Sequence, residues 1–238
     1  MQYGIQMYSV RDLTEKDLAL ALQKVSEIGY KSVEFAGFFG HSAEEVKAML
    51  EQFGLTVSGT HSGLDDLEKD FEGTVRYHKA LGNTNYILPA APTSTKTELD
   101  ETIAKINKYQ PLLAAEGIQL GYHNHDSEFR PNKDGLIAHK ELEERTDIQF
   151  EIDTYWVYAA GQDPIEVLER LKDRITVIHL KDGLEDGSGY ALGEGTAPVV
   201  AVLEKAKELG MDIVVESETL QPDGISEVTR CMEYLKRL

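Results

Sequence analysis

The 238-residue sequence has one cysteine, Cys231, so an intramolecular disulfide is excluded. It also has no run of about 18 apolar residues, the length that a membrane-spanning helix requires. The first residues show neither the basic start nor the apolar stretch of a secretory signal. These absences predict a cytoplasmic protein with no membrane partner, whose core is held together by packing alone.

Positive charge is scarce as well. The chain has 24 Lys and Arg against 42 Asp and Glu, a formal net charge of −18. Nucleic-acid binding depends on clustered Lys and Arg that displace counterions from phosphates. A local basic patch is compatible with this total, but the balance argues against a nucleic-acid partner.

Short runs rich in β-branched and aromatic residues alternate with longer segments of helical periodicity. The predicted strands are Tyr3–Met7, Ser32–Phe35, Thr56–Thr60, Asn85–Leu88, Gln119–Tyr122, Gln149–Ile152, Thr176–Leu180 and Asp212–Glu216. The predicted helices include Glu15–Ile28, Ala43–Phe53, Lys96–Glu116, Pro164–Leu171, Val199–Leu209 and Ile225–Leu238. Thr14 and Ser42 are the expected N-caps of the first two helices, because an acidic residue follows each at the third position.

This alternation implies parallel strands joined by right-handed crossovers. Eight such units in 238 residues predict an α/β fold, a (β/α)8 TIM barrel that forms a single domain over residues 1–238. An open doubly wound sheet would need a glycine-rich phosphate loop after the first strand. The sequence there reads Gln6-Met7-Tyr8-Ser9-Val10-Arg11, so the barrel is favoured.

Polar side chains stand where the last four predicted strands end, and the carboxyl ends of barrel strands meet at one opening. Strand residues two apart share a face. The same-face pairs are His123 with His125, Glu151 with Asp153, His179 with Lys181, and Glu216 with Glu218. Imidazole nitrogens mixed with carboxylate oxygens suit Mn²⁺, Zn²⁺ or Co²⁺, whereas Ca²⁺ prefers oxygen alone. We therefore expect a divalent metal site at this opening.

Taken singly, the candidate residues are also compatible with structural roles. His61 is typical of a hydrogen-bonded structural histidine, and Glu34 of an ion-pair partner. Lys181 could belong to a solvated turn, and Trp156 suits core packing as well as substrate contact. Only the combination of His, Asp, His and Glu at four successive strand ends favours a metal site.

These residues resemble those of the xylose-isomerase-like superfamily of sugar phosphate isomerases and epimerases, whose barrels also include endonuclease IV. The family has a carboxylate or His after strand 5, Asp after strand 6, a His-x-Lys-Asp segment after strand 7 and Glu after strand 8. The resemblance implies that one divalent ion (Mn, Zn, Co or Mg) is held by His123, Asp153, His179 and Glu216. Lys181 matches the family lysine, and Gly193-Glu194-Gly195 matches a recurring Gly-x-Gly turn.

One segment departs from the family pattern. Many epimerases carry a Glu after strand 5 that pairs with the strand 8 Glu as a two-base system. Here that segment reads His123-Asn124-His125, so a two-glutamate proton relay is not expected. With Glu128-Phe129 nearby, the segment resembles subgroups that act on keto-sugars, including 3-keto-glycosides and inososes.

The sequence therefore predicts a metal-dependent sugar isomerase or epimerase that deprotonates carbon next to a metal-bound carbonyl. His125 is the first candidate for the base and Glu216 the second, and Lys181 is expected to neutralise the enediolate oxygen. Further contacts with the sugar are expected from Tyr8, Glu34, His61, Trp156 and Glu194.

Three alternatives remain open. A keto-sugar or inosose dehydratase, or a 3-keto-glycoside lyase, would share the enolate and differ only in expelling a leaving group. An endonuclease IV-like DNA repair enzyme is a distant alternative, because the net charge opposes DNA. A sugar-binding barrel without catalysis is the third. A homodimer is compatible with each of them.

Overall fold

The predicted strands form one closed parallel barrel in the computed structural model, which describes residues 2–238. The barrel strands are β1 (Gly4–Gln6), β2 (Ser32–Phe35), β3 (Thr56–His61), β4 (Asn85–Leu88), β5 (Gln119–His123), β6 (Gln149–Asp153), β7 (Ile175–Leu180) and β10 (Asp212–Val215). Each pairs with its neighbours in chain order, and β10 closes the ring against β1. Two short strands, β8 (Asp182–Gly183) and β9 (Gly189–Tyr190), form an antiparallel hairpin after β7. The (β/α)8 prediction is confirmed.

Helices follow the barrel strands and cover the outside of the sheet. They are α1 (Arg11–Thr14), α2 (Leu18–Ile28), α3 (Ala43–Phe53), α4 (Leu64–Lys69), α5 (Phe71–Leu81), α6 (Lys96–Ala115), α7 (Ala138–Arg145), α8 (Thr154–Ala159), α9 (Pro164–Leu171), α10 (Val199–Leu209) and α11 (Gly224–Leu235). Within residues 2–238, none of these helices is both long enough and apolar enough to cross a membrane.

The two predicted N-caps have different outcomes. Ser42 caps α3 in a full capping box, in which Ser42 and Glu45 each accept the other's backbone N–H. Thr14 instead ends the separate short helix α1, so the prediction for Thr14 is wrong. The side chain of Asp17 accepts the N–H of Leu20 and starts α2 three residues later than predicted.

Strand register places the polar residues side by side at the carboxyl end of the barrel. Glu34 lies opposite Gln6, and Asp153 lies opposite His179. The neighbours of Glu34 on its strand, including Val33, belong to the apolar core. Because successive strand residues alternate between faces, the apolar side chains pack under the helices while the polar ones converge inside the barrel.

A buried polar cluster joins α5 to the barrel. The Asn83 side-chain oxygen accepts the N–H of Asn85, which turns the Asn83 amide nitrogen toward His78 Nδ1, 3.1 Å away. An amide nitrogen can only donate, so His78 accepts at Nδ1 and its ring is neutral. Burial lowers the pKa of His78 to about 4 from its usual 6.5.

This pKa shift predicts a loss of stability in mild acid. The unfolded chain binds a proton at His78 more readily, so the neutral ring stabilises the fold above pH 6.5, and that contribution is lost as the pH falls toward 4. Between pH 7 and pH 5 we expect the free energy of unfolding to fall by about 2 kcal/mol more in the wild type than in His78→Gln. Urea titrations at the two pH values measure this difference.

His41→Gln is the matched control, because His41 is partly exposed and lies outside this cluster. It should keep the wild-type dependence on pH. The same dependence in the wild type and in His78→Gln would contradict the assignment of a buried neutral ring.

Candidate active site

The carboxyl ends of the barrel strands surround a cavity of about 480 Å³. This volume is typical of sites that bind small molecules. The polar side chains that line the cavity are Tyr8, His61, His123, His125, Glu216 and Glu218. Five of these residues were predicted as site residues, and Glu218 was predicted only to share a face with Glu216.

Four buried residues beside this cavity bring their ligand-type atoms together, and we call them the ligand cluster: His123, Asp153, His179 and Glu216. One atom from each lies within 4.8 Å of the others. His123 Nε2 is 3.6 Å from Asp153 Oδ2, and His179 Nδ1 is 3.3 Å from Glu216 Oε2. Two ligands of one tetrahedral metal with bonds of about 2.0–2.2 Å stand roughly 3.3–3.6 Å apart. The spacing therefore fits a cation.

Unpartnered atoms in the ligand cluster support the same interpretation. Among residues 2–238, both ring nitrogens of His123 and Oδ2 of Asp153 are buried without a hydrogen-bond partner. Each such group costs about 1–3 kcal/mol when it is left unsatisfied. Two imidazole nitrogens and two carboxylate oxygens form a donor set that Mn²⁺, Co²⁺ and Zn²⁺ accept. The residues present therefore fit a divalent metal.

The two oxygens of Asp153 serve different partners. Oδ1 accepts the N–H groups of Tyr155 and Trp156 and so caps α8. This cap fixes the carboxylate and leaves Oδ2 directed at the ligand cluster. The start of α8 therefore positions one of the four ligand-type atoms.

Lys181 is a buried cation next to the ligand cluster. Its Nζ lies 2.9 Å from Glu218 and 3.4 Å from Glu216. Burial alone would lower the pKa of Lys181, but the neighbouring carboxylates outweigh burial and raise the pKa above its usual value. The side chain is therefore an ammonium group, and it offsets negative charge in the cavity wall.

A second set of buried groups, the carboxylate–imidazole network, consists of Glu34, His61, Glu151 and His179. His179 Nε2 is 2.6 Å from Glu34 Oε2, and His61 Nε2 is 2.8 Å from Glu151 Oε2. These separations are hydrogen-bond lengths and are too short for two ligands around one metal. Burial is the main cause that raises the pKa of Glu34, to about 7, and the negative charge of Glu151 is the second. The network is therefore held by hydrogen bonds, and His179 connects it to the ligand cluster.

The predicted base His125 lies at the edge of the cavity. Its ring centroid is 4.9 Å from that of His123 and 5.9 Å from that of Trp156. Glu128 Oε2 accepts the backbone N–H of His125 and fixes this segment. His125 is partly exposed and lies outside the ligand cluster.

Three predicted substrate contacts lie outside the cavity lining. Glu34 is fully buried and contacts His179 rather than the cavity. Trp156 packs under Lys181, whose Nζ is 4.6 Å from the ring centroid. Glu194 pairs with Arg230 of α11 at 2.8 Å, so the structure does not bring it together with the other site residues.

Sequence reasoning assigned no role to Glu151, which the structure places in the carboxylate–imidazole network. The signal was present, because Glu151 shares a strand face with Asp153. The charge of Glu151 also acts on its neighbour. Burial alone would lower the pKa of His61, but the carboxylates of Glu34 and Glu151 outweigh it and raise that pKa.

Comparisons with known proteins agree with this architecture. The chain is 23 % identical over 266 residues to an inosose dehydratase of Geobacillus kaustophilus (strain HTA426), covering 91 % of this chain and 86 % of that protein. It is 29 % identical over 189 residues to an inosose dehydratase of Mesomycoplasma hyopneumoniae (strain 7448), covering 68 % of this chain and 61 % of that protein.

A solved sugar phosphate isomerase/epimerase from Parabacteroides distasonis ATCC 8503 superposes with a TM-score of 0.87 at 26 % identity. That match covers 100 % of this chain and 98 % of the other. The family model described as xylose isomerase-like TIM barrel matches residues 22–237. The chain therefore belongs to the xylose isomerase-like TIM-barrel family.

Proposed function

We propose that this chain is a metal-dependent enzyme that removes a proton next to the carbonyl of a keto-sugar or keto-cyclitol and then expels water. The observation that carries the proposal is the ligand cluster, which has unpartnered buried atoms and adjoins a cavity of about 480 Å³. The sequence predicted isomerisation first and dehydration second. The two curated relatives described above are inosose dehydratases, and they move dehydration to first place.

His123, Asp153, His179 and Glu216 would hold the metal. When bound, a divalent cation supplies a Lewis acid that stabilises negative charge on a carbonyl oxygen. The ammonium group of Lys181 lies 3.4 Å from Glu216 and adds a fixed positive charge next to the ligand cluster.

His125 is the proposed base. Its ring is partly exposed at the cavity and is separate from the ligand cluster, so it can reach a substrate C–H. Imidazole exchanges protons near neutral pH. Glu216 is less suited, because Lys181 and His179 outweigh the effect of burial and hold the pKa of Glu216 well below its usual range.

His61 is the proposed acid for the departing hydroxyl. The rings of His61 and His125 both neighbour His123, with centroids 5.0 Å and 4.9 Å from its centroid. His61 lines the cavity, and its Nε2 is held by Glu151 at 2.8 Å. In the elimination, His125 takes the proton from carbon, and the hydroxyl leaves as water with a proton from His61.

Epimerisation is the second candidate. The Parabacteroides distasonis protein, which matches the whole chain with a TM-score of 0.87, is a sugar phosphate isomerase/epimerase. Epimerisation would use the same proton removal and would return a proton to carbon instead of expelling water. The residues that begin the reaction would be the same.

The proposal predicts one divalent metal per chain. Protein freed of metal by a chelator should bind one Mn²⁺ in calorimetric titration. Asp153→Asn keeps the helix-capping oxygen but changes the ligand-type atom, and Glu216→Gln removes another carboxylate. Each should weaken Mn²⁺ binding by more than about 100-fold, because the metal loses an anionic ligand.

Glu194→Gln is the matched control for this titration. Glu194 is paired with Arg230 away from the cavity, so this variant should bind Mn²⁺ like the wild type. Wild-type affinity in Asp153→Asn and Glu216→Gln would exclude the proposed ligand set.

The proposal also predicts proton removal by His125. The Mn²⁺-loaded enzyme is incubated in deuterated water with a panel of keto-cyclitols, ketoses and 3-keto-glycosides, and the products are analysed by NMR and mass spectrometry. A substrate should lose water, and His125→Ala should lower the rate by about 10²–10⁴-fold. His41→Ala should match the wild type, because His41 lies outside the cavity lining.

Other products distinguish the remaining reactions. A product with the same composition as the substrate, in which one carbon has an inverted configuration and carries deuterium, indicates epimerisation. An isomer of the same composition as the substrate that carries no deuterium indicates direct hydride transfer and excludes His125 as the base.

A further inference from the structure

A hydrogen-bond chain that starts at the backbone leads to His179, the residue shared by the ligand cluster and the carboxylate–imidazole network. This series of hydrogen bonds begins after β1, where the N–H of Tyr8 donates to Gln6 Oε1 at 3.0 Å. A backbone N–H can only donate, so the Gln6 oxygen must face Tyr8. The Gln6 amide nitrogen therefore faces the opposite way, toward Glu34.

The second link fixes the role of the Glu34 oxygen. Gln6 Nε2 lies 2.8 Å from Glu34 Oε2, and an amide nitrogen can only donate. Glu34 Oε2 is therefore an acceptor. His179 Nε2 lies 2.6 Å from the same oxygen and 3.3 Å from Glu151 Oε2, so this ring nitrogen faces two carboxylate oxygens and carries a hydrogen.

The third link concerns the other ring nitrogen of His179. With one hydrogen held on Nε2, Nδ1 is the ring nitrogen whose lone pair becomes available to a metal once the metal displaces the hydrogen on Nδ1. Nδ1 is on the side of the ligand cluster, 3.3 Å from Glu216 Oε2. The hydrogen bonds that lead from Tyr8 thus hold a hydrogen on Nε2 and leave Nδ1 as the nitrogen that can bind a metal in the ligand cluster.

We propose that Gln6 and Glu34 are positioning residues that hold His179 in its Nε2-protonated form, with Nδ1 ready to bind the metal. The inference rests on the metal site of the proposed function. A carboxylate bonded to the second nitrogen of a metal-binding histidine orients the ring and makes it a stronger ligand. Glu34 therefore supports the metal ligand and does not contact the sugar.

The packing around Glu34 agrees with this role. Glu34 is fully buried, and β3 passes it at Gly59. A Cβ atom at position 59 would stand 2.7 Å from Glu34 Oε1, so a larger residue there would displace the carboxylate. A second cation among Glu34, His61 and Glu151 is the competing interpretation, and the short hydrogen bonds of the network argue against it.

The test measures binding of Co²⁺ alone to chelator-treated protein, using the visible spectrum of the ion for affinity and stoichiometry. Glu34→Met removes the acceptor, whereas Glu34→Gln, the matched control, loses the charge but keeps an acceptor oxygen. We expect Co²⁺ affinity to fall by about 10–100-fold in Glu34→Met and by less in Glu34→Gln. Stoichiometry should stay at one ion per chain.

Four outcomes would overturn the inference. Wild-type Co²⁺ affinity in Glu34→Met, or an equal loss in both variants, would show that the acceptor oxygen has no role. Two ions in the wild type and one in Glu34→Met would establish a second cation site instead. If the wild type binds no Co²⁺ at all, the proposed metal site itself fails, and the inference fails with it.

Nuclear magnetic resonance of the wild type tests the tautomer without a substitution at Glu34. The protein is prepared with ¹⁵N-labelled histidine and loaded with ¹¹³Cd²⁺. Nδ1 of His179 should then show a coupling to cadmium, and Nε2 of the same ring should carry a bonded proton. Coupling on Nε2 would overturn the proposal. Gln6→Met, which removes the amide donor to Glu34, should weaken Co²⁺ binding less than Glu34→Met.

Discussion

Buried negative charge at the carboxyl end of the barrel is the constraint on which the rest of the site depends. The carboxylates of Glu34, Glu151, Asp153 and Glu216 are almost completely excluded from water. An ionised carboxylate pays a large desolvation penalty unless N–H donors or cations surround it. The imidazoles, Lys181 and the amide of Gln6 meet part of this requirement. Within the described part of the chain, Asp153 Oδ2 and the ring nitrogens of His123 have no hydrogen-bond partner, and a cation in the ligand cluster would satisfy Oδ2 and one of these nitrogens.

The loops that follow the strands also surround buried carboxylates with hydrogen-bond donors. Asp182 accepts the backbone N–H groups of Gly193, Gly195 and Ala197, so the Gly-x-Gly turn is folded around a buried carboxylate. Glu227 of α11 accepts hydrogen bonds from the segment after β10, including the N–H groups of Thr219 and Gln221. These two acids fix the loops that carry the residues after His179 and Glu216.

Much of the fold could be predicted from the sequence, because buried parallel strands are short apolar runs with abrupt ends. Each barrel strand was predicted to within about two residues, and α3, α9 and α10 were predicted with the observed bounds. The start of α2 was wrong, because Thr14 and Asp17 are both good N-caps and local sequence does not choose between them. The helices α1, α4, α7 and α8 were not singled out, since each of them is short.

The sequence predicted which residues belong to the site better than it predicted how deep in the barrel each residue lies. Strand ends and parity brought four same-face pairs to one opening, because both depend only on the barrel geometry, and the family resemblance indicated which residue of each pair belongs to the ligand cluster. Glu34 was expected at the substrate, but parity gives the face of a strand and not the depth along the barrel axis. Glu194 was expected near the sugar because its segment matches a Gly-x-Gly turn that recurs in the family. The direction of its side chain depends on Arg230, which is distant in sequence.

The shared use of Asp153 links ion size to the shape of the cavity wall. One oxygen of this carboxylate is fixed by the first turn of α8, and the other belongs to the ligand cluster. A cation of larger radius would have to rotate or push the carboxylate, and the helix cap resists that movement. The first turn of α8 therefore limits the ionic radii that the proposed site can accommodate. Trp156 belongs to the same turn, and its ring contacts the ammonium group of Lys181. A poorly fitting ion would therefore also disturb this contact.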